Sequence, residues 1–174
     1  MKSTIYLEKA GLDDIEFLKV LYNDRVVQNS SLNVDAGEIT EKEIIRTIEY
    51  FEENNLNFFI VYQEEKSIGI ALIYEINKNK NYAMIGIALE EKYRGKNISS
   101  IIITLLAKYV NEKYKILNLS GEVYSNNTAS LKLVKKLNFK RDDDKTEKIE
   151  LNNKIVYKYT YYKNIHEINQ ELRL

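Results

Sequence analysis

Residues 85–106 read IGIALEEKYRGKNISSIIITLL, an apolar run, then a basic turn of small residues, then a second apolar run at a different spacing. The first part continues a strand over residues 82–89. In the second, Ile98, Ile101, Ile102, Leu105, Leu106 and Tyr109 share one face of a helix. A strand that turns directly into a helix N-terminus makes an anion site, because the first helical N–H groups lack intrahelical acceptors and lie at the positive end of the helix dipole. Arg94 and Lys96 add charge at the rim, and Gly95, Asn97, Ile98 and Ser99 complete the turn. The same string also describes a solvated connection, so the turn alone leaves both readings open.

The flanks extend the pattern in both directions. Ile5 and Leu7 alternate as a short strand, and Ile15, Leu18, Leu21 and Tyr22 recur at helical spacing. Residues 23–39 have no clear period and read as a loop with room for a helical turn. Thr40 with Glu43 forms a capping box for a second helix carrying Ile44, Ile45, Ile48 and Phe51. Strands over residues 58–62 and 67–76 precede the one at 82–89 in an antiparallel meander. After the long helix come a strand over 116–124, a helix capped by Ser125 or Asn126, and a closing strand pair that Phe139 opens and Asn152 and Asn153 turn. The order β-α-α-β-β-β-α-β-α-β-β implies a parallel crossover and an α/β (α+β) mixed sheet with helices on both faces. Residues 165–174 read as a polar tail or short helix.

Composition narrows the function classes. At 174 residues and 20.5 kDa, one domain over residues 1–174 is expected. The 26 basic and 26 acidic residues cancel and are spread along the chain, a poor basis for nucleic-acid binding. With no cysteine and one histidine, neither a thiolate nucleophile nor a Cys or multi-His metal site is available, so no metal is expected. His166 reads as structural or exposed. No apolar run approaches the roughly 20 residues of a membrane span, and the start MKSTIYLEKAG lacks the apolar core of a signal peptide. A cytoplasmic chain with no membrane partner is expected.

A second block, GEVYSNNTASLKLVKKLNF at residues 121–139, joins the first. Together they resemble the GNAT acetyltransferases. That family's pyrophosphate turn begins with Arg or Gln, met here by Arg94, and carries small residues where this chain has Asn97 and Ser99. Asn is the non-glycine residue most tolerant of a left-handed backbone. The family's second signature is matched by Asn127, Ser130, Lys136, Leu137 and Phe139, with Asn138 in place of the usual Gly. The resemblance covers residues 5–139 and is strongest from Ala83 onward.

The resemblance implies a GNAT-like fold of about seven strands with a splayed central parallel pair, and an acetyl-CoA cosubstrate held between the strands at 82–89 and 116–124. Backbone groups of Ile87, Ala88 and Leu89 would pair with the pantetheine as a sheet edge would. An N–H near Ile87 would polarise the thioester carbonyl. Asn127 would hydrogen-bond the cofactor chain, or else serve as a helix N-terminal residue satisfying backbone donors.

Direct attack by an amine needs a base for its proton and an acid for the leaving thiolate. Where many family members carry a Glu on the first splayed strand this chain has Met84, and Val134 replaces a common acidic Tyr. Glu122 is the candidate base: it lies five residues before Asn127, as the catalytic Glu does in ribosomal-protein alanine acetyltransferases, at a cleft mouth where burial tunes a carboxylate toward base chemistry. It also reads as a surface carboxylate. Ser130 is the candidate acid, or simply a small helix residue, and Tyr124 is the second choice.

The implied acceptor is a small-molecule amine or a peptide N-terminus, gripped by residues 23–39 and 141–162. Residues 22–40, YNDRVVQNSSLNVDAGEIT, are loosely similar to phosphinothricin-type acetyltransferases. An acidic cleft would suit polyamines, although Asp142, Asp143 and Asp144 also read as a solvated turn. The Tyr-rich strand over 155–162 offers an edge for a homodimer. A cofactor-binding protein without catalysis and a non-enzymatic α/β module are the alternatives.

Overall fold

In the computed structural model, which describes residues 4–30, 37–151 and 154–171, seven strands form one sheet. They are β1 (Ile5–Lys9), β2 (Asn57–Gln63), β3 (Lys66–Asn77), β4 (Tyr82–Leu89), β5 (Asn118–Tyr124), β6 (Lys140–Leu151) and β7 (Lys154–Asn164). The spatial order is β1-β2-β3-β4-β5-β7-β6, antiparallel except for β4 and β5. The helices are α1 (Ile15–Tyr22), α2 (Arg25–Ser30), α3 (Glu41–Glu53), α4 (Ile98–Tyr114), α5 (Thr128–Lys136) and α6 (Ile165–Glu171).

Strand alternation divides the core in two, because successive side chains leave opposite faces of the sheet. On one face Ala83, Ile85 and Leu89 of β4 meet Ile102, Leu106 and Val110 of α4, with Ile165 and Ile168 of α6 in the same cluster. On the other, Leu18 and Leu21 of α1 and Ile44 and Ile48 of α3 pack on Phe58, Ile60 and Ile70. This is the expected mixed sheet with helices on both faces. The Thr40 and Glu43 capping box is also present: Thr40 N donates to Glu43 Oε2 at 2.8 Å and Glu43 N to Thr40 Oγ1 at 3.4 Å.

Two local expectations are corrected, the start of β5 and the cap of α5, and two elements gain definite bounds. Residues 23–39 contain a six-residue helix, α2, because Asp24 Oδ1 accepts the N–H groups of Val26 and Val27 at 2.8 and 3.1 Å. α4 runs on to Tyr114, where Lys115 ends it in the left-handed region at φ 59°. β5 begins at Asn118 instead of Ile116. The cap of α5 is Asn127, whose Oδ1 accepts the Ser130 N–H at 3.0 Å, and not Ser125 or Asn126. The turn expected at Asn152 and Asn153 lies outside the described residues.

The feature that positions the site is how briefly β4 and β5 pair. Their parallel register holds only for Tyr82 with Asn118, Ala83 with Leu119 and Met84 with Ser120. Beyond it β4 stays with β3 through Leu89, and β5 stays with β7 through Tyr124. Opposite the parting point, β3 carries a bulge: Ile73 faces Ile85 and Glu75 faces Met84, leaving Tyr74 extra. A bulge bends its strand and sharpens the local twist, which turns β4 away from β5. Among the described residues no helix is long and apolar enough to cross a membrane.

Candidate active site

The gap between β4 and β5 is a sheet edge inside the sheet. A Cβ on Gly69 of β3 would stand 2.3 Å from the Ala88 carbonyl oxygen, and one on Gly121 of β5 would stand 3.5 Å from the Ile85 carbonyl oxygen. The Ala88 carbonyl therefore points to β3 and the Ile85 carbonyl to β5. Alternation then sends the Ile87 N–H and C=O into the gap, where β5 has already departed. Burial agrees: Met84 and Ile85 are buried, whereas Gly86, Ile87 and Ala88 are half-exposed.

At the wide end of the gap the chain turns into α4. Gly95 and Asn97 both take left-handed conformations, at φ 74° and 65°. Asn97 precedes the first residue of α4, and its Oδ1 accepts from Ser100 Oγ at 3.0 Å and from Lys136 Nζ at 2.7 Å. Lys136 therefore brings a cation from α5 onto the same turn. Lys92 and Lys96 flank the Tyr93 ring, at 5.2 and 5.9 Å from its centroid. The Arg94 guanidinium is engaged with protein: Nε donates to the Leu89 carbonyl at 2.9 Å and one terminal nitrogen pairs with Asp24 Oδ2 at 2.9 Å. Burial pushes the Asp24 carboxyl up, but the N–H groups of Val27 and Val26 and the Arg94 guanidinium outweigh it and hold the group below the usual carboxylate range. Left-handed Gly95 with open space at its α-carbon, the N-terminus of α4 and the lysines fit a phosphate-bearing chain laid along the gap.

Glu122 sits on β5 just past the parting point, opposite Thr160 of β7. Its Oε1 lies 3.0 Å from Lys158 Nζ, which also lies 3.0 Å from Glu147 Oε2. The Glu122 side chain keeps 32% of its exposure, more than a buried base would. It lines a cavity of about 350 Å³ together with Glu75, Met84, Asp144, Lys145 and Glu147. Asp144 and Lys145 reach this wall because β6 loses register with β7 between Asp142 and Thr146. The acidic run is thus an irregular excursion of a strand that borders the cavity.

Two tyrosines share this electrostatic neighbourhood. Burial pushes the Tyr124 phenol up, with Lys158 opposing and Glu122 and Glu147 adding to the rise. Burial likewise raises Tyr74 well above the usual phenol range, with contributions from Glu122, Glu75 and Tyr124. The Tyr74 ring lies beside the Gly86 α-carbon, where an added Cβ would meet Cε1 at 3.8 Å. Ser130 is half-buried in the first turn of α5, and its N–H is held by Asn127. His166 is exposed and donates its backbone N–H to Asn164 Oδ1 at 2.9 Å.

Sequence reasoning therefore placed Glu122 and Tyr124 on one strand at the gap and the 94–99 turn at its end. It missed Tyr74, Glu75, Asp24, Glu147 and Lys158. Charge in strands that otherwise alternate apolar and polar residues was the available signal for Glu147 and Lys158. None existed for Tyr74, whose direction depends on the bulge.

Residues 4–140 match the acetyltransferase (GNAT) domain. Among solved structures, a spermidine N-acetyltransferase from Vibrio cholerae in complex with CoA and spermine superposes with a TM-score of 0.81 at 17% identity, covering 94% of this chain and 97% of that one. The ribosomal L7/L12 α-N-protein acetyltransferase RimL, in complex with coenzyme A, gives 0.78 at 16% identity, with 96% and 97% covered. An N-acetyltransferase from Staphylococcus aureus Mu50 gives 0.74 at 21% identity, with 94% and 99% covered. No curated protein sequence matches. The solved structures share the fold, while the domain match spans the turn at 94–99, the parting strands and α5, so this chain belongs to the GNAT acetyltransferase family.

Proposed function

We propose that this protein is an acetyl-CoA-dependent N-acetyltransferase whose acceptor is a small primary amine bearing more than one positive charge. The observation that carries the reading is the opening of β4 from β5, which turns the Ile87 backbone into the gap, with a cavity at the parting point lined by Met84 of the same strand and by Glu75, Glu122, Asp144, Lys145 and Glu147. The neighbour crystallised with CoA and spermine supports a polyamine-like acceptor. A peptide N-terminus is the second reading, supported by the ribosomal-protein neighbour and by the spacing of Glu122 to Asn127.

The cosubstrate supplies an activated thioester. Ile87, Ala88 and Leu89 would hold its chain along the edge of β4, and Gly95, Lys96, Asn97, Ile98, Ser99 and Lys136 would surround its phosphates. Asn127 Oδ1 is engaged in the α5 cap, so the cofactor chain would take its hydrogen bond from Nδ2. Glu122 takes a proton from the acceptor ammonium, and the freed nitrogen lone pair attacks the carbonyl carbon. The Ile87 N–H stabilises charge on the carbonyl oxygen. As the C–S bond breaks, Tyr124 or Ser130 gives a proton to the departing sulfur and is restored by the second proton that the nitrogen loses on becoming an amide.

Isothermal titration with acetyl-CoA tests the site itself. Saturable one-site binding is expected, and no measurable heat would remove both the enzymatic reading and a non-catalytic cofactor-binding one.

A further inference from the structure

Asp24 makes two kinds of contact with its two oxygens. Oδ1 accepts the N–H groups of Val26 and Val27, which starts α2, and Oδ2 meets the Arg94 guanidinium at 2.9 Å. Arg94 Nε in turn holds the carbonyl of Leu89, the last residue of β4, at 2.9 Å. The Asp24 backbone N–H donates to Leu21 at the end of α1, at 3.2 Å. One residue thus ties the end of α1, through its backbone, and the start of α2, through its carboxylate, to the turn that leaves β4. Both side chains are about three-quarters buried, at 23% and 26% exposure, so the pair is less screened than an ordinary surface salt bridge.

Two nitrogens of the guanidinium, Nε and Nη2, are therefore turned toward Leu89 and Asp24. Lys136 reaches the α4 turn directly through Asn97 Oδ1, and Lys96 stands within the turn with its ammonium over the Tyr93 ring. We propose that Asp24 and Arg94 are positioning residues for the cofactor: they fix the 94–99 turn against the α1–α2 arm, while Lys96 and Lys136 supply the charge that meets its phosphates. This rests on the acetyltransferase reading given above.

The sign of one substitution separates positioning from direct electrostatics. Asp24→Asn keeps an oxygen to cap α2 and removes the negative charge near a polyanionic ligand. By charge alone, CoA should bind more tightly. By positioning, it should bind about five-fold more weakly, the scale of a half-buried ion pair. Arg94→Lys gives a second arm: it keeps the positive charge but lacks the fork that reaches Leu89 and Asp24 together, and a similar weakening is expected. Calorimetric titration of the full chain with CoA reads both, with circular dichroism melting to show that each variant is folded. Unchanged or tighter binding by the folded Asp24 variant overturns the proposal, whatever Arg94→Lys does. If Asp24→Asn does not fold, Asp24→Ser, which keeps an oxygen to cap α2 and likewise removes the charge, takes its place. Absence of binding by the wild-type chain would instead overturn the cofactor site, and this proposal with it.

Discussion

Glu122 Oε1 lies 3.0 Å from Lys158 Nζ, and the same ammonium lies 3.0 Å from Glu147 Oε2, so one cation bridges two carboxylates at the mouth of the β4–β5 gap. Lys158 is the cross-strand partner of Glu147 and of Tyr124, and only 16% of its side chain is exposed. The bridge fixes where Glu122 points.

Glu122→Gln keeps the shape of the side chain and removes its capacity to take a proton. Turnover at neutral pH is expected to fall about 100-fold, within the range for loss of a general base, with acetyl-CoA affinity unchanged. Steady-state thiol release and calorimetry together read the two quantities. An unchanged rate would remove Glu122 from the mechanism.

Asp24 carries a pH dependence with a definite sign. Its folded carboxyl is held below the ordinary value of 3.8, so its stabilisation is fully present above that value and disappears as pH falls through the lower, folded one. The melting temperature of wild type minus that of Asp24→Asn should be constant above about pH 5 and close toward zero in acid below pH 3.8. The contribution is about 1 kcal/mol or less. A difference that grows on acidification would contradict the assignment.

Asn97 holds φ 65° at the entrance to α4. Asn97→Ala is expected to cost about 1–2 kcal/mol from the left-handed backbone alone, and to loosen Lys136. Asn97→Gly should keep the turn and nearly all the stability while losing the contacts to Ser100 and Lys136. Denaturant midpoints rank the three proteins. Equal destabilisation by Ala and Gly would mean that the side chain, and not the backbone, sets the turn.

Much of this turn was legible from residue types. A strand period, a basic small-residue turn and a helix period follow directly in residues 85–106, and Asn at a position needing a left-handed backbone is a local property. The meander, the crossover and the Thr40 cap are local for the same reason. What escaped depends on chains meeting. Tyr74 reads as one more residue of an alternating strand until the register slips between Ile73 and Glu75. Asp24 looks like a loop aspartate until α2 and Arg94 both reach it. Asp144 looks solvated until the β6 excursion carries it to the cavity wall. The α5 cap was misplaced because Ser125, Asn126 and Asn127 are all competent caps, and backbone geometry selects among them.

Gly69 sets how closely β3 and β4 approach. A Cβ there would fall 2.3 Å from the Ala88 oxygen and 2.7 Å from a Leu89 methyl carbon. Gly69→Ala is expected to destabilise by about 3 kcal/mol and to weaken acetyl-CoA binding, because β4 supplies the edge that faces the gap. Urea unfolding followed by far-UV circular dichroism measures the first, and a variant as stable as wild type would show that the strands separate without cost.

The most direct measurement is thiol release from acetyl-CoA by the purified chain across a panel of polyamines, monoamines, amino acids and peptides. Amine-dependent release is expected, fastest with acceptors that carry two or more ammonium groups. Release no faster than the protein-free rate with every acceptor, under conditions where acetyl-CoA binds, would contradict the acetyltransferase reading and leave a cofactor-binding protein without catalysis.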